Sequence, residues 1–253
     1  MERYFSHYSD SHRAVGEGSV SYLYLPGVIE RINRLNPTAR FIVLIRNPLS
    51  MLPSYHLRMR FLLQEDEADF SRAWKLEGSR KRGENIPENC LDSRLLQYSD
   101  AAKFGVQVKR LFETVGRDRA HVIVFDDFKS DPLKTYRRTL EFLEVDYDGQ
   151  NKFERRHGSQ MYRYRWLQKI FFVPAKSGGK ILKTVQQRTR KYNEKGRKLP
   201  NLVKRIIGFN KIPMQPAPLS NETMTEIRET LREDIALLSN LLNRDLNYWL
   251  DES

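Results

Sequence analysis

The stretch Phe41–His56, FIVLIRNPLSMLPSYH, decides the fold. Five consecutive apolar residues, Phe41 to Ile45, form the continuous run of a strand buried on both faces, as parallel sheets require. Arg46, Asn47 and Pro48 end it. A helix is predicted from Ser50, with Ser50 as N-cap; Pro53 then falls at the third helical position, where no backbone donor is needed. A start at Leu49 or earlier would place Pro53 where it kinks the helix.

Open α/β sheets bind ligands at the carboxyl ends of their strands. Arg46 stands at such an end, before a helix N-terminus whose free N–H groups and partial positive charge suit an anion. Its guanidinium adds a planar fork that matches phosphate oxygens. Ser54 lies in the first helical turns, and its side chain leans back toward that terminus. Arg46 and Ser54 together read as a clamp for a phosphate monoester. The alternative is an arginine that caps carbonyls or pairs with Asp126, with Ser54 merely exposed.

Outward from this stretch the first 150 residues alternate in type. LPGVIERINRL, Leu25–Leu35, has helical spacing of Val28, Ile29, Ile32 and Leu35. Residues 64–90 are polar, and Glu77–Asn89 reads as a loop. Asp92–Val115 has long helical periodicity, and HVIVFDDF, His121–Phe128, reads as a second buried strand. The next segment is a helix capped by Ser130 or Asp131, with Pro132 in its first turn and Leu133, Tyr136, Leu140 and Leu143 as its apolar stripe. This order implies an α/β fold with crossover helices on a parallel sheet. Residues 151–219 read as a basic, largely helical insertion with breaks at Gly178-Gly179, Gly196 and Pro200. Residues 220–253 supply a C-terminal helix, striped by Ile227, Leu231, Ile235, Leu238 and Leu242, that packs on the core.

Composition narrows the class. The 253 residues suffice for one domain with a sizeable core, and the single cysteine, Cys90, excludes an intramolecular disulfide. No apolar run reaches the length of a membrane span, and the N-terminus has no signal-peptide pattern, so a cytoplasmic protein is expected. The net charge of +12 is uneven: residues 152–211 hold 18 Lys or Arg and 2 Glu, or +16, leaving 12 − 16 = −4 for the rest. That asymmetry points to an anionic partner. RYRWLQKIFF, Arg163–Phe172, interleaves cations and aromatics. It is compatible with a segment closing over a cofactor or glycan acceptor, a membrane-surface helix, a nucleic-acid contact, or a solvated basic helix with its aromatics in the core. No recognised nucleic-acid motif is present, so nucleic acid is not expected as a partner. The five histidines show no metal-ligand spacing, and no metal site is expected. Asp126 and Asp127 end a strand on the ligand side but serve equally well as helix caps.

RFIVLIRNPLSMLPSYH resembles the second cofactor-binding motif of the sulfotransferase family, which uses 3′-phosphoadenosine-5′-phosphosulfate. In that family the Arg after the strand and the Ser eight residues later hold the 3′-phosphate, which the resemblance assigns to Arg46 and Ser54. Three further segments are similar in family order: Gly16–Arg40, Val122–Val145 and Pro218–Leu250. The resemblance implies a P-loop-NTPase-like parallel sheet, in a single domain, and transfer of a sulfuryl group to a hydroxyl or amine of a carbohydrate or small-molecule acceptor. Peripheral membrane contact stays open.

The family's first unit, a strand and a Gly- and Thr-rich turn that cradles the phosphosulfate, has no counterpart in these 253 residues. The expectation is a working enzyme represented without that N-terminal unit. The alternative is a degenerate, non-catalytic module that binds nucleotide or another anionic ligand. MERYF, Met1–Phe5, resembles a family segment whose glutamate acts as base, with Glu2 one residue nearer the aromatic pair. EKGRKLP, Glu194–Pro200, resembles a family cofactor loop. No catalytic residue is assigned.

Overall fold

A computed structural model describes residues 12–154, 158–172 and 201–251, with the backbone alone at 171, 172 and 201–204. Met1–Phe5, with Glu2, His7, His157, the breaks at Gly178-Gly179, Gly196 and Pro200, and the segment Glu194–Pro200 lie outside the described residues. The chain divides into two compact units. One comprises residues 1–6, 53–96 and 156–218; the other comprises 7–52, 97–155 and 219–253.

The second unit holds the parallel sheet. Helix α1 (Val28–Leu35) leads into β1 (Phe41–Ile45), and β1 pairs in parallel with β2 (Ala120–Val124), Phe41 opposite Ala120 and Ile45 opposite Val124. Helix α6 (Phe104–Val115) precedes β2. Phe41, Val43 and Ala120 pack on a buried cluster of Ile29, Leu111 and Val115, so one face of the sheet lies on α1 and α6. The other face departs from the reading of a doubly buried strand: Ile42 is 45% and Leu44 54% exposed. The described sheet has two strands, and an apolar run carries no record of how many neighbours will cover it.

Strand β2 is shorter than expected. Phe125–Ser130 is a helix, α7, and Asp131 then caps α8 (Pro132–Leu143) by accepting from the Lys134 amide at 2.9 Å. The C-terminal helix runs Asn221–Leu242; Ser220 caps it, its hydroxyl accepting from the Thr223 amide, and Ile227, Leu231, Ile235 and Leu238 are buried as the periodicity requires. The periodicity over Asp92–Val115 is not one helix. Lys103, at ψ 70°, separates α5 (Tyr98–Ala102) from α6, so the register restarts at Phe104.

In the first unit the stretch Glu77–Asn89, expected to be a loop, is helical over Glu77–Lys81 and has no regular structure beyond. Phe70–Lys75 and Glu77–Lys81 are the short helices α3 and α4. The polar character that suggested a loop is internal: Arg80 and Glu65 are wholly buried and form a bidentate pair at 2.7 and 2.8 Å. Gln160–Tyr162 (β3) and Lys211–Pro213 (β4) form an antiparallel pair. Met161 joins a buried cluster with Leu57 and Phe61. Helix α9 is Arg165–Phe172 and α10 is Asn201–Phe209. Among the described residues, no helix is long and apolar enough to cross a membrane.

Candidate functional site

The turn after β1 is built by Asn47. Helix α2 spans Pro48–Phe61, three residues earlier than the Ser50 cap predicts, and Pro53 lies inside it. Asn47 wins the cap because its side-chain oxygen accepts from the Leu49 amide at 2.9 Å, while Pro48 has no amide to satisfy and a φ already set for a helix. The Asn47 carbonyl accepts from the Ser50 and Met51 amides at 3.1 and 3.0 Å. The first amides of the helix are therefore engaged within the turn. An anion at this end must be held by side chains rather than by free helix N–H groups.

Arg46 stands at this end. Its Nε donates to the Ser50 hydroxyl at 2.9 Å, and that hydroxyl donates to the Asn47 carbonyl at 3.0 Å. The guanidinium carbon stands 5.2 Å from the centroid of the Phe125 ring, at the end of β2. Aromatic face and serine hydroxyl fix the plane of the fork. An arginine has five N–H donors. The four on its terminal nitrogens meet no acceptor among the described residues, and Arg46 forms no ion pair there.

The pairing with Asp126 is absent because Asp126 is engaged elsewhere. It accepts from the Tyr248 hydroxyl at 2.8 Å and the Trp249 indole at 3.1 Å. Asp127 pairs with Arg244. Both acids at the end of β2 thus anchor the C-terminal segment. Tyr248 titrates above its ordinary range, first through burial and then through its bond to Asp126.

Ser54 is the seventh residue of α2 and half-buried, four positions after Ser50 and so on the same side of the helix. Sequence reasoning gave Ser50 only a capping role. Its bond to Arg46 was foreshadowed by the four-residue spacing between the two. Beyond Ser54, the Tyr55 hydroxyl donates to the Leu95 carbonyl at 2.9 Å, and His56 Nε2 lies 3.0 Å from the Glu67 carbonyl. Tyr55 and His56 are thus fastened to the polypeptide around them.

The model of the sulfotransferase family matches residues 20–149, which contain β1, the Asn47 turn, Arg46, Ser54 and β2. The chain belongs to the sulfotransferase family. Its fold is similar to that of a crystal structure of a sulfotransferase from Alicyclobacillus acidocaldarius, at a TM-score of 0.62 and 23% identity, over 99% of this chain and 74% of that one. No curated protein matches the chain. Arg46 lies within the matched span and directly follows β1, which pairs in parallel with β2.

Proposed function

We propose that this sulfotransferase binds 3′-phosphoadenosine-5′-phosphosulfate, with Arg46 and Ser54 as ligands of the 3′-phosphate, and passes its sulfuryl group to a hydroxyl or amine of a carbohydrate or small molecule. The observation that carries the reading is the state of Arg46: a guanidinium held in place by Ser50 and Phe125, with its two terminal nitrogens meeting no acceptor among the described residues. A phosphate monoester fits such a fork, since its oxygens accept two parallel N–H bonds and its charge is opposite. Asp126 and Asp127, the acids that follow β2, are engaged by Tyr248, Trp249 and Arg244 instead of by Arg46.

The co-substrate supplies an activated sulfuryl group; the acceptor atom bonds to sulfur, the bond from sulfur to the bridging phosphate oxygen breaks, and the acceptor proton is lost. The residues of this chain contribute binding and orientation. Arg46 fixes the 3′-phosphate end of the nucleotide, Ser50 keeps the guanidinium from rotating, and Ser54 adds a hydroxyl donor on the same side of α2. Such anchoring acts through position, which counts heavily in transfers where charge moves to a leaving oxygen.

Thermal unfolding with added nucleotide tests this. Adenosine 3′,5′-bisphosphate should raise the midpoint more than adenosine 5′-phosphate does, and Arg46→Ala should abolish the difference. Equal shifts by the two nucleotides in the unaltered protein would contradict the proposal.

A further inference from the structure

In the first unit, a group of aromatic side chains stands in solvent on a rigid base. Trp166 is 64% exposed, Phe209 55%, Tyr164 44% and Met214 43%. The reading that buries the aromatics of Arg163–Phe172 therefore fails at Tyr164 and Trp166. Their exposure is not that of a loose loop. Asn210, 1% exposed, ties the two segments together beneath them: its side-chain oxygen accepts from the Tyr164 amide at 2.8 Å, and its side-chain nitrogen donates to Gln168 Oε1 at 3.1 Å. The Arg163 amide donates to the Asn210 carbonyl at 2.7 Å, and Gln168 donates onward to the Phe61 carbonyl at 2.7 Å. The aromatic group is preorganised by this buried amide network.

Its chemistry is apolar and cationic. Residues 158–172 and 201–214 carry six Lys or Arg and no acidic residue. Arg163, Arg165, Lys169, Arg205 and Lys211 are all exposed. Tyr164 stacks on Phe209 at 6.2 Å, Trp166 approaches Tyr164 at 6.5 Å, and the Arg163 guanidinium lies 4.6 Å over the Phe209 ring. A sugar-binding platform needs polar side chains for the hydroxyls, yet Asn210 and Gln168 spend their amides inside. A base-stacking platform needs a bare ring, yet Phe209 already has Tyr164 and Arg163 against it. Exposed Trp, Tyr, Phe and Met among Lys and Arg is instead the composition that settles at the boundary between anionic headgroups and acyl chains.

We propose that Tyr164, Trp166 and Phe209, together with the exposed Met214 and the exposed cations Arg163, Arg165, Lys169, Arg205 and Lys211 of the same two segments, dock this protein peripherally on an anionic lipid surface. The patch shares no residue with the Arg46 site, so each proposal can fail without the other.

Trp166 provides the readout. The other two tryptophans, Trp74 and Trp249, are 8% and 1% exposed. The test adds the full chain to phosphatidylcholine vesicles with and without phosphatidylglycerol. With the anionic lipid, tryptophan emission should shift to the blue, and brominated acyl chains should quench it. Raising the salt should reverse both effects. Trp166→Phe should abolish the quenching while the protein still floats with vesicles. Arg163→Gln with Lys211→Gln, both at exposed positions, should weaken partitioning about 25-fold, at about fivefold per cation. Absence of flotation at low salt would overturn the proposal. So would quenching that persists in Trp166→Phe, or retention on heparin or single-stranded DNA without any vesicle binding.

Discussion

Asp234 closes the N-terminus of α6 from another helix: its carboxylate accepts from the Gly105 amide at 2.7 Å and the Val106 amide at 2.9 Å. The approach is so close that a Cβ on Gly105 would overlap the Asp234 carbonyl oxygen. Two otherwise orphaned amides at a buried helix end are satisfied across more than a hundred residues of sequence. Burial pushes the Asp234 carboxyl up, and the two amide donors pull it partly back. Asp234→Ala should cost about 2 kcal/mol or more in denaturant unfolding, since it strands both amides. Gly105→Ala should cost a similar amount by forcing the two helices apart, whereas Gly78→Ala, whose Cβ would meet nothing closer than Arg82 Nη1 at 3.9 Å, should not.

The buried Arg80–Glu65 pair makes a second test. Removing one partner leaves an uncompensated charge in a dry site, at about 3–5 kcal/mol. Arg80→Met and Glu65→Leu should each destabilise the protein by that order. The double variant Glu65→Leu, Arg80→Met should recover most of the loss. Strict additivity of the two single changes in equilibrium unfolding would show that the pair is not coupled.

How much of this was legible beforehand depends on where each signal lies. The Phe41–Ile45 strand, its parallel pairing, the Asp131 cap and the stripe from Ile227 to Leu238 all follow from local pattern, and local pattern is what sequence carries. Asn47 was missed as a cap because Ser50 competes for the same role, and the difference is one hydrogen bond to Leu49. The helices at Phe70–Lys75 and Glu77–Lys81 were missed because a charged residue reads as solvated until its partner, here fifteen residues away, is known. Arg46 was legible from its place after a strand. Its supports were not equally so: Ser50 sits in the local sequence, while Phe125 reaches Arg46 only through the pairing of β1 with β2.

Acid should weaken the fold through histidine. His56 is buried against Phe70, and burial, the largest influence, holds its pKa below the ordinary 6.5, while its bond to the Glu67 carbonyl opposes the shift. A histidine with a lowered folded pKa contributes stability that is present above about pH 6.5 and is lost as the pH falls through the folded value. His121 shifts in the same direction, also through burial first. Stability should therefore fall as the pH drops below 6.5, and His56→Gln should flatten part of that slope. A slope unchanged in His56→Gln would place the dependence in His121 or in the carboxylates.

Asp126 should matter for stability and not for nucleotide recognition. It holds Tyr248 and Trp249, so Asp126→Ala should cost about 1.5–3 kcal/mol by loss of hydrogen bonds to a charged group. At a temperature where the variant is folded, its preference for adenosine 3′,5′-bisphosphate over adenosine 5′-phosphate should equal that of the parent. A collapse of that preference would restore Asp126 as a partner of Arg46.

Binding calorimetry on Arg46→Ala tests the central claim most directly. The parent protein and the variant are each titrated with adenosine 3′,5′-bisphosphate and with adenosine 5′-phosphate, and the four affinities close a cycle. A charge-assisted contact to the 3′-phosphate is worth about 1.5–3 kcal/mol, so the variant should lose about 10- to 100-fold in affinity for the bisphosphate and almost nothing for the monophosphate. Equal losses for both nucleotides, or none for either, would mean that Arg46 does not read the 3′-phosphate.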